Sequence, residues 1–336
     1  MTSSLRRQSN CASLDFVKLL FLLWVLLCGF VVEVHAAEAD SKPHPSGFAI
    51  APPAFEDAVV LPGVTNAVRL WLYTNAAPDA AHLFNTFEIE AYGERLLSSP
   101  GQAEVARWRA SFPTNASLHN ILVNGAGPLL ALSNSMAVVE RATGPGWNYV
   151  ALDAGAAYRG RLEQFRRAIL FVEPDLFVIH DHLIAREPAS FAMLLHPPAA
   201  TQVDSIWRDL RLDLGKAGMR INTPGARHVL RAWEQTESPA DAILPGTVTM
   251  KLSPAVQLTE LDLLTVVVVY PGGAKKDFAF KLLESNNAIG ARTHREALPT
   301  LVAFKTGASA GNASLTGFEF VGPVGVSVFR PKQKTP

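Results

Sequence analysis

Cysteine is nearly absent: the 336 residues hold two, Cys11 and Cys28, both within the first thirty. That excludes a disulfide framework or a thiolate metal site in the rest of the chain. An excess of charge is absent too. Lysine plus arginine and aspartate plus glutamate number 30 each, and charged residues are only 18% of the chain. No broad basic surface is therefore on offer, and a nucleic-acid partner is not expected. Long 3.6-residue periodicity is scarce, with Gln102 to Ser111 one short helical pattern and Arg161 to Arg167 readable as helix or strand. What is plentiful is apolar surface, at 49% of residues, punctuated by 23 glycines and 23 prolines. Wholesale disorder is excluded, and frequent breaks favour short strands and turns.

Arg6, Arg7 and Lys18 precede an uncharged run from Leu19 to Val32, which is followed by Val34-His35-Ala36. The run has 14 residues, short of the roughly 20 that span a bilayer as a helix. Basic start, apolar middle and small-residue end form the pattern of a secretory signal peptide, with an uncleaved anchor as the alternative. The expected organisation is a signal peptide over 1–36, a polar linker over 37–47 and a β-rich region over 48–336, with a smaller β subdomain from residue 245 or so. Cleavage would remove three basic and two acidic side chains, leaving 27 against 28, and no cysteine. That near-neutral product suits a periplasmic or secreted location, with no stable transmembrane span after cleavage.

Past the linker the dominant period is two. Phe87, Ile89 and Ala91 alternate with Glu88, Glu90 and Tyr92 before Gly93, the pattern of a half-buried strand. Ile121-Leu122-Val123 stops at Asn124-Gly125, a strong two-residue turn signal. Two apolar runs, Ala168 to Val172 and Leu176 to His180, flank Glu173-Pro174-Asp175 and predict a hairpin. Leu261 to Tyr270 is almost continuously apolar and predicts a central strand. Val324 to Phe329 alternates again. The fold class expected is all-β, a large antiparallel, supersandwich-like β-sandwich with few short helices.

Eight histidines follow the signal segment, and three places stand out: His82, His119-Asn120 ahead of a strand, and His180-Asp181-His182. The spacing of the last puts both imidazoles on one strand face and Asp181 on the other. Two histidines on neighbouring strands with a carboxylate have the donor types zinc takes. The alternative for each is a strand-end histidine bonded to backbone or water. Tyr149 and Tyr158 read as packing aromatics or as acid/base groups. Trp71, Tyr73, Trp147, Trp207 and Trp233 read as sugar-stacking platforms or as core. Arg159, Arg161, Arg166 and Arg167 form the densest basic cluster, facing either an acidic polymer or solvent.

Four segments also carry a resemblance. They are His82 to Leu97 (HLFNTFEIEAYGERLL), His119 to Gly125 (HNILVNG), Tyr158 with Arg166 to Asp181 (RRAILFVEPDLFVIHD), and His196-Pro197. In order and spacing, over residues 48–200, they resemble the β-sandwich domain of heparinase II/III-like polysaccharide lyases. The family's α/α toroid has no counterpart between the signal segment and this region. The resemblance implies eliminative cleavage or binding of a uronic-acid-containing acidic polysaccharide. The alternative is a non-catalytic carbohydrate-binding or structural module, or the β half of a split lyase whose toroid domain is on a separate chain.

Such elimination needs a base for the C5 proton, an acid for the leaving oxygen and a partner for the carboxylate. By the resemblance, His82 is the catalytic histidine, Asn85 beside it contacts substrate, and His119 binds a structural zinc with His82 as co-ligand; Arg159 and Arg161, from the basic cluster, are the further substrate contacts expected. Where the family carries an aspartate after the glycine turn, this chain has Ser98 and Ser99.

Overall fold

A computed structural model describes residues 30–36, 58–62, 68–73, 85–98, 119–128, 137–158, 160–225, 228–236, 247–274, 278–295, 298–307 and 311–331. Over these the chain is all-β, as expected, and the helical content is one 3-10 turn, Gly155–Tyr158. The short helix expected at Gln102 to Ser111 lies outside the described residues.

The molecule is organised around an eight-stranded antiparallel sheet. Its order is Gln202–Asp204, Asp209–Asp213, Ala217–Gly225, Leu258–Pro271, Leu176–Ala189, Leu162–Val172, Trp147–Asp153 and Ala137–Gly144. The apolar run at Leu261 to Tyr270 takes the central place expected of it, between Ala217–Gly225 and Leu176–Ala189. Every residue from Leu261 to Val269 is buried because this sheet is covered on both faces.

On one face Leu261, Leu263, Val267 and Val269 pack with Phe177, Ile179, Phe165 and Ile169. Against them lie Leu70, Ile89, Ile121 and Met193, from two four-stranded sheets. On the other face Leu264, Val266 and Val268 meet Ile289, Val302, Phe304 and Val326 of a five-stranded sheet. The result is three stacked sheet layers with two apolar seams. A strand sealed on both sides cannot alternate polar with apolar residues, which accounts for the unbroken run.

The five-stranded sheet runs Phe30–Ala36, Val324–Pro331, Leu298–Lys305, Ala288–Arg295, Phe278–Glu284. Phe30–Ala36 closes the segment read as an export signal; a chain cut after Ala36 would keep Val324–Pro331 as its edge. The alternation in that strand sends Val324 and Val326 to the inner seam, and Gly325 and Ser327 outward. The outer side is capped by the ribbon Ala313–Leu315 with Phe318–Phe320. A Cβ at Gly325 would lie 2.6 Å from Phe318, so the alternating small residue is a packing requirement.

Phe87, Ile89 and Ala91 are buried while Glu88 and Glu90 are half-buried, as their period predicts. Asn124 and Gly125 both take positive φ, 53° and 78°, the pair a two-residue turn requires. That turn closes on one bridge, Val123 with Ala126, rather than on a long hairpin. Its flank pairs instead with Phe191–Leu195. The Glu173-Pro174-Asp175 loop joins Leu162–Val172 to Leu176–Ala189 as a hairpin, in the register Leu176 opposite Val172. Among the described residues no helix is long and apolar enough to cross a membrane.

Candidate functional site

Successive residues of one strand face opposite seams, so the hairpin carries two polar clusters back to back. Arg167 and Asp181 stand opposite each other in the register and both turn to the four-stranded layers. They are fully buried. Arg167 Nε donates to Asp181 Oδ1 at 2.6 Å and Nη2 to Oδ2 at 2.9 Å, a two-pronged ion pair. Its Nη1 donates to the carbonyls of Asn85 and His119. The guanidinium is held between the rings of Phe87 and Phe165, 5.6 and 5.5 Å from their centroids. One cation thus ties the hairpin to the entries of two strands, Phe87–Ala91 and Ile121–Val123.

Asn85 is buried and takes φ 59°, a left-handed conformation that asparagine tolerates. This is what turns its carbonyl toward Arg167. Its Nδ2 lies 3.5 Å from Asn120 Oδ1, which also accepts from Ile121 N at 2.8 Å and Tyr158 Oη at 2.8 Å. Tyr158 Oη is 2.7 Å from the Ile121 carbonyl as well. Burial pushes the phenol far above its ordinary range, so Tyr158 acts as a neutral donor. Tyr158→Phe leaves buried acceptors without this hydroxyl and is expected to cost about 1–3 kcal/mol of stability, read from the midpoint of urea unfolding.

His119 is sealed. Its Nδ1 accepts from His196 N at 3.1 Å and its Nε2 faces the Ser98 carbonyl at 3.2 Å, which assigns the proton to Nε2. The rings of Phe87 and His196 lie 5.5 and 5.7 Å away. Burial, with His196 and Arg167 adding to it, lowers the imidazole to about 3 against the Ser98 contact, so His119 is neutral. Both ring nitrogens are engaged with backbone, and the position expected of an aspartate presents the Ser98 carbonyl. A zinc at His119 would need one of these bonds broken, so the present arrangement does not fit the metal.

Arg161 is committed to a turn. It donates to the carbonyls of Val123, Ala126 and Gly127 and lies 5.4 Å over the Tyr158 ring, fixing the Asn124-Gly125 corner. The arginine cluster is divided by the strand period: Arg167 enters one seam, while Arg166 turns to the other and pairs with Glu140 and Tyr149. His82 and Arg159 lie outside the described residues. Of the aromatics, Trp147 and Trp233 are core, Trp71 is half-buried, and Trp207 is 69% exposed on the turn after Gln202–Asp204.

The second cluster is on the opposite face of the same strands. His180 Nε2 and His182 Nδ1 are both 2.9 Å from Asp262 Oδ1, across the register pair His182 with Asp262. Both imidazoles share a face and Asp181 takes the other, as their spacing predicts. Asp262 and Glu260 come from Leu258–Pro271, more than seventy residues on, and no local sequence signal joins them to the histidines.

No protein-family profile matches the chain, and no curated protein matches it in sequence. Solved structures do match. A crystal structure of heparinase III superposes with a TM-score of 0.57 over 74% of this chain and 41% of that one, at 14% identity. The heparan sulfate lyase HepC from Pedobacter heparinus gives 0.55 over 88% and 44%, at 10% identity. A heparinase III, the BT4657 gene product, gives 0.58 over 79% and 44%, at 11% identity. The fold is that of the heparinase III structures. This chain therefore has a polysaccharide-lyase-related fold and spans less than half the length of the heparinase III chains it matches.

Proposed function

We propose that this heparinase III-like chain engages a uronic-acid-containing acidic polysaccharide and contributes to its eliminative cleavage. The observation that carries the reading is the layered architecture shared with heparan sulfate lyases over three quarters or more of this chain at most of the matches described. In the reaction a base removes the C5 proton of the uronate, the C4–O bond breaks, and the departing oxygen takes a proton, leaving a C4–C5 double bond. His82 is the histidine proposed for proton transfer. It stands three residues before Asn85, whose carbonyl Arg167 holds. Arg159 is proposed to meet the polymer's negative charge. Asn85 and Arg161 are proposed to serve the same subsite by fixing the segments that carry His82 and Arg159. A toroid-like helical partner, on a separate chain or elsewhere in a longer one, would supply the facing wall.

The test uses heparan sulfate and other uronate polymers with the purified chain, alone and with such a partner. The expected product is an unsaturated uronate, detected by its ultraviolet absorbance, and His82→Ala is expected to abolish it. No product under either condition sinks the cleavage reading. Polysaccharide binding without product would instead favour a carbohydrate-binding module. That second reading draws on Trp207 and Ile206, exposed side by side at 69% and 82%. We further propose removal of residues 1–36 on export to the periplasm or beyond, which the mass of the mature N-terminus tests.

A further inference from the structure

The cluster His180, His182, Asp262 and Glu260 faces the seam with the five-stranded layer and has no part in the proposed cleavage. Donor atoms of His182, Glu260 and Asp262 lie within 4.8 Å of one another. They stand on neighbouring strands of the central sheet and all turn toward the five-stranded layer. Asp262 and His180 are buried, His182 is partly buried and Glu260 is exposed, so the group grades from an apolar floor to solvent. The floor is the Phe304 ring, 5.3 Å from that of His180.

The charge balance suits a dication. Asp262 and Glu260 bring two negative charges, and the nearby cation, Arg166 opposite His182, is already paired with Glu140. Both imidazoles converge on one oxygen of Asp262, which puts that carboxylate at the centre of the cluster.

From this geometry we infer a zinc site, with His182, Asp262 and Glu260 as ligands and the fourth position left to water. Zinc takes imidazole nitrogen and carboxylate oxygen at about 2.0–2.2 Å, which puts tetrahedral ligand atoms about 3.3 Å apart. His182 Nδ1 and Asp262 Oδ1 already stand at 2.9 Å, close to that spacing. Ligation through Nδ1 needs that nitrogen unprotonated, with the ring N–H on Nε2. Glu260, exposed at the outer end of the cluster, closes the third bond. His180 Nε2 donates to Asp262 from behind and orients the carboxylate, the role an outer hydrogen bond plays at zinc sites. The inference is independent of the polysaccharide reading.

The experiment is calorimetric titration of tag-free, chelator-stripped full-length protein with zinc, followed by cobalt substitution and visible absorption. One zinc per chain is expected, with a tetrahedral cobalt band. Glu260→Gln changes an exposed side chain and is expected to weaken zinc at least tenfold. His182→Gln is expected to abolish binding with the circular dichroism spectrum intact. His119→Gln is expected to leave binding unchanged, separating this site from the one the family resemblance implies. Absence of zinc binding, or equal affinity in Glu260→Gln, His182→Gln and the parent, would overturn the assignment.

Discussion

Arg167→Ala is expected to cost about 3–5 kcal/mol, a large share of the roughly 5–15 kcal/mol that holds a typical protein folded. The size follows from where the charge sits. Arg167 and Asp181 are both sealed between sheets, and removing the guanidinium strands a carboxylate that has no water to turn to. The same change frees the carbonyls of Asn85 and His119 and empties the space between Phe87 and Phe165. Asp181→Ala is expected to hurt comparably, by leaving the cation alone. A volume-matched apolar pair, Arg167→Met with Asp181→Leu, is expected to recover part of the loss, because it removes both charges together. Guanidinium unfolding of the three variants is the measurement. Single variants within about 1 kcal/mol of the parent would mean that water reaches this pair.

Acid is expected to act through His119. In the unfolded chain its imidazole takes a proton near the ordinary 6.5, and in the folded protein only near 3. Between those values the unfolded state binds more protons, so stability rises with pH across the window and is lost as pH falls. Each pH unit well inside it is worth about 1.4 kcal/mol, and the step from pH 6.5 to 4.5 about 2 kcal/mol after the curvature at the upper end. His119→Gln keeps a donor and an acceptor but cannot titrate. Unfolding midpoints of parent and variant should therefore diverge in slope over that range, the variant being flatter. Parallel slopes would place the imidazole in contact with solvent.

Much of the β architecture was legible. The period of two at Phe87 to Ala91, the unbroken run at Leu261 to Tyr270 and the punctuation at Glu173-Pro174-Asp175 each report the environment of a single strand, and that information is local. The Arg167–Asp181 pair was readable in principle. Residues equidistant from Pro174 face each other in the hairpin, which sets 167 against 181 and 166 against 182. Taking the four arginines as one basic patch overlooked the alternation that divides them.

The stacking of three layers was not legible, because it depends on Leu258–Pro271 lying beside a strand more than seventy residues earlier. For the same reason Asp262 and Glu260 could not be tied to the histidines. The confinement of His119 was hidden too, since its partners are the main-chain atoms of Ser98 and His196, which carry no side-chain signature.

Late arrival of Leu258–Pro271 has a consequence for biosynthesis. Until the ribosome has delivered it, Ala217–Gly225 and Leu176–Ala189 each present an open backbone edge, and neither seam can close. The strands on either side must wait, oily and unzipped, for the piece that fits between them; shielding during that interval, rather than faster folding of any one hairpin, is what such an arrangement calls for.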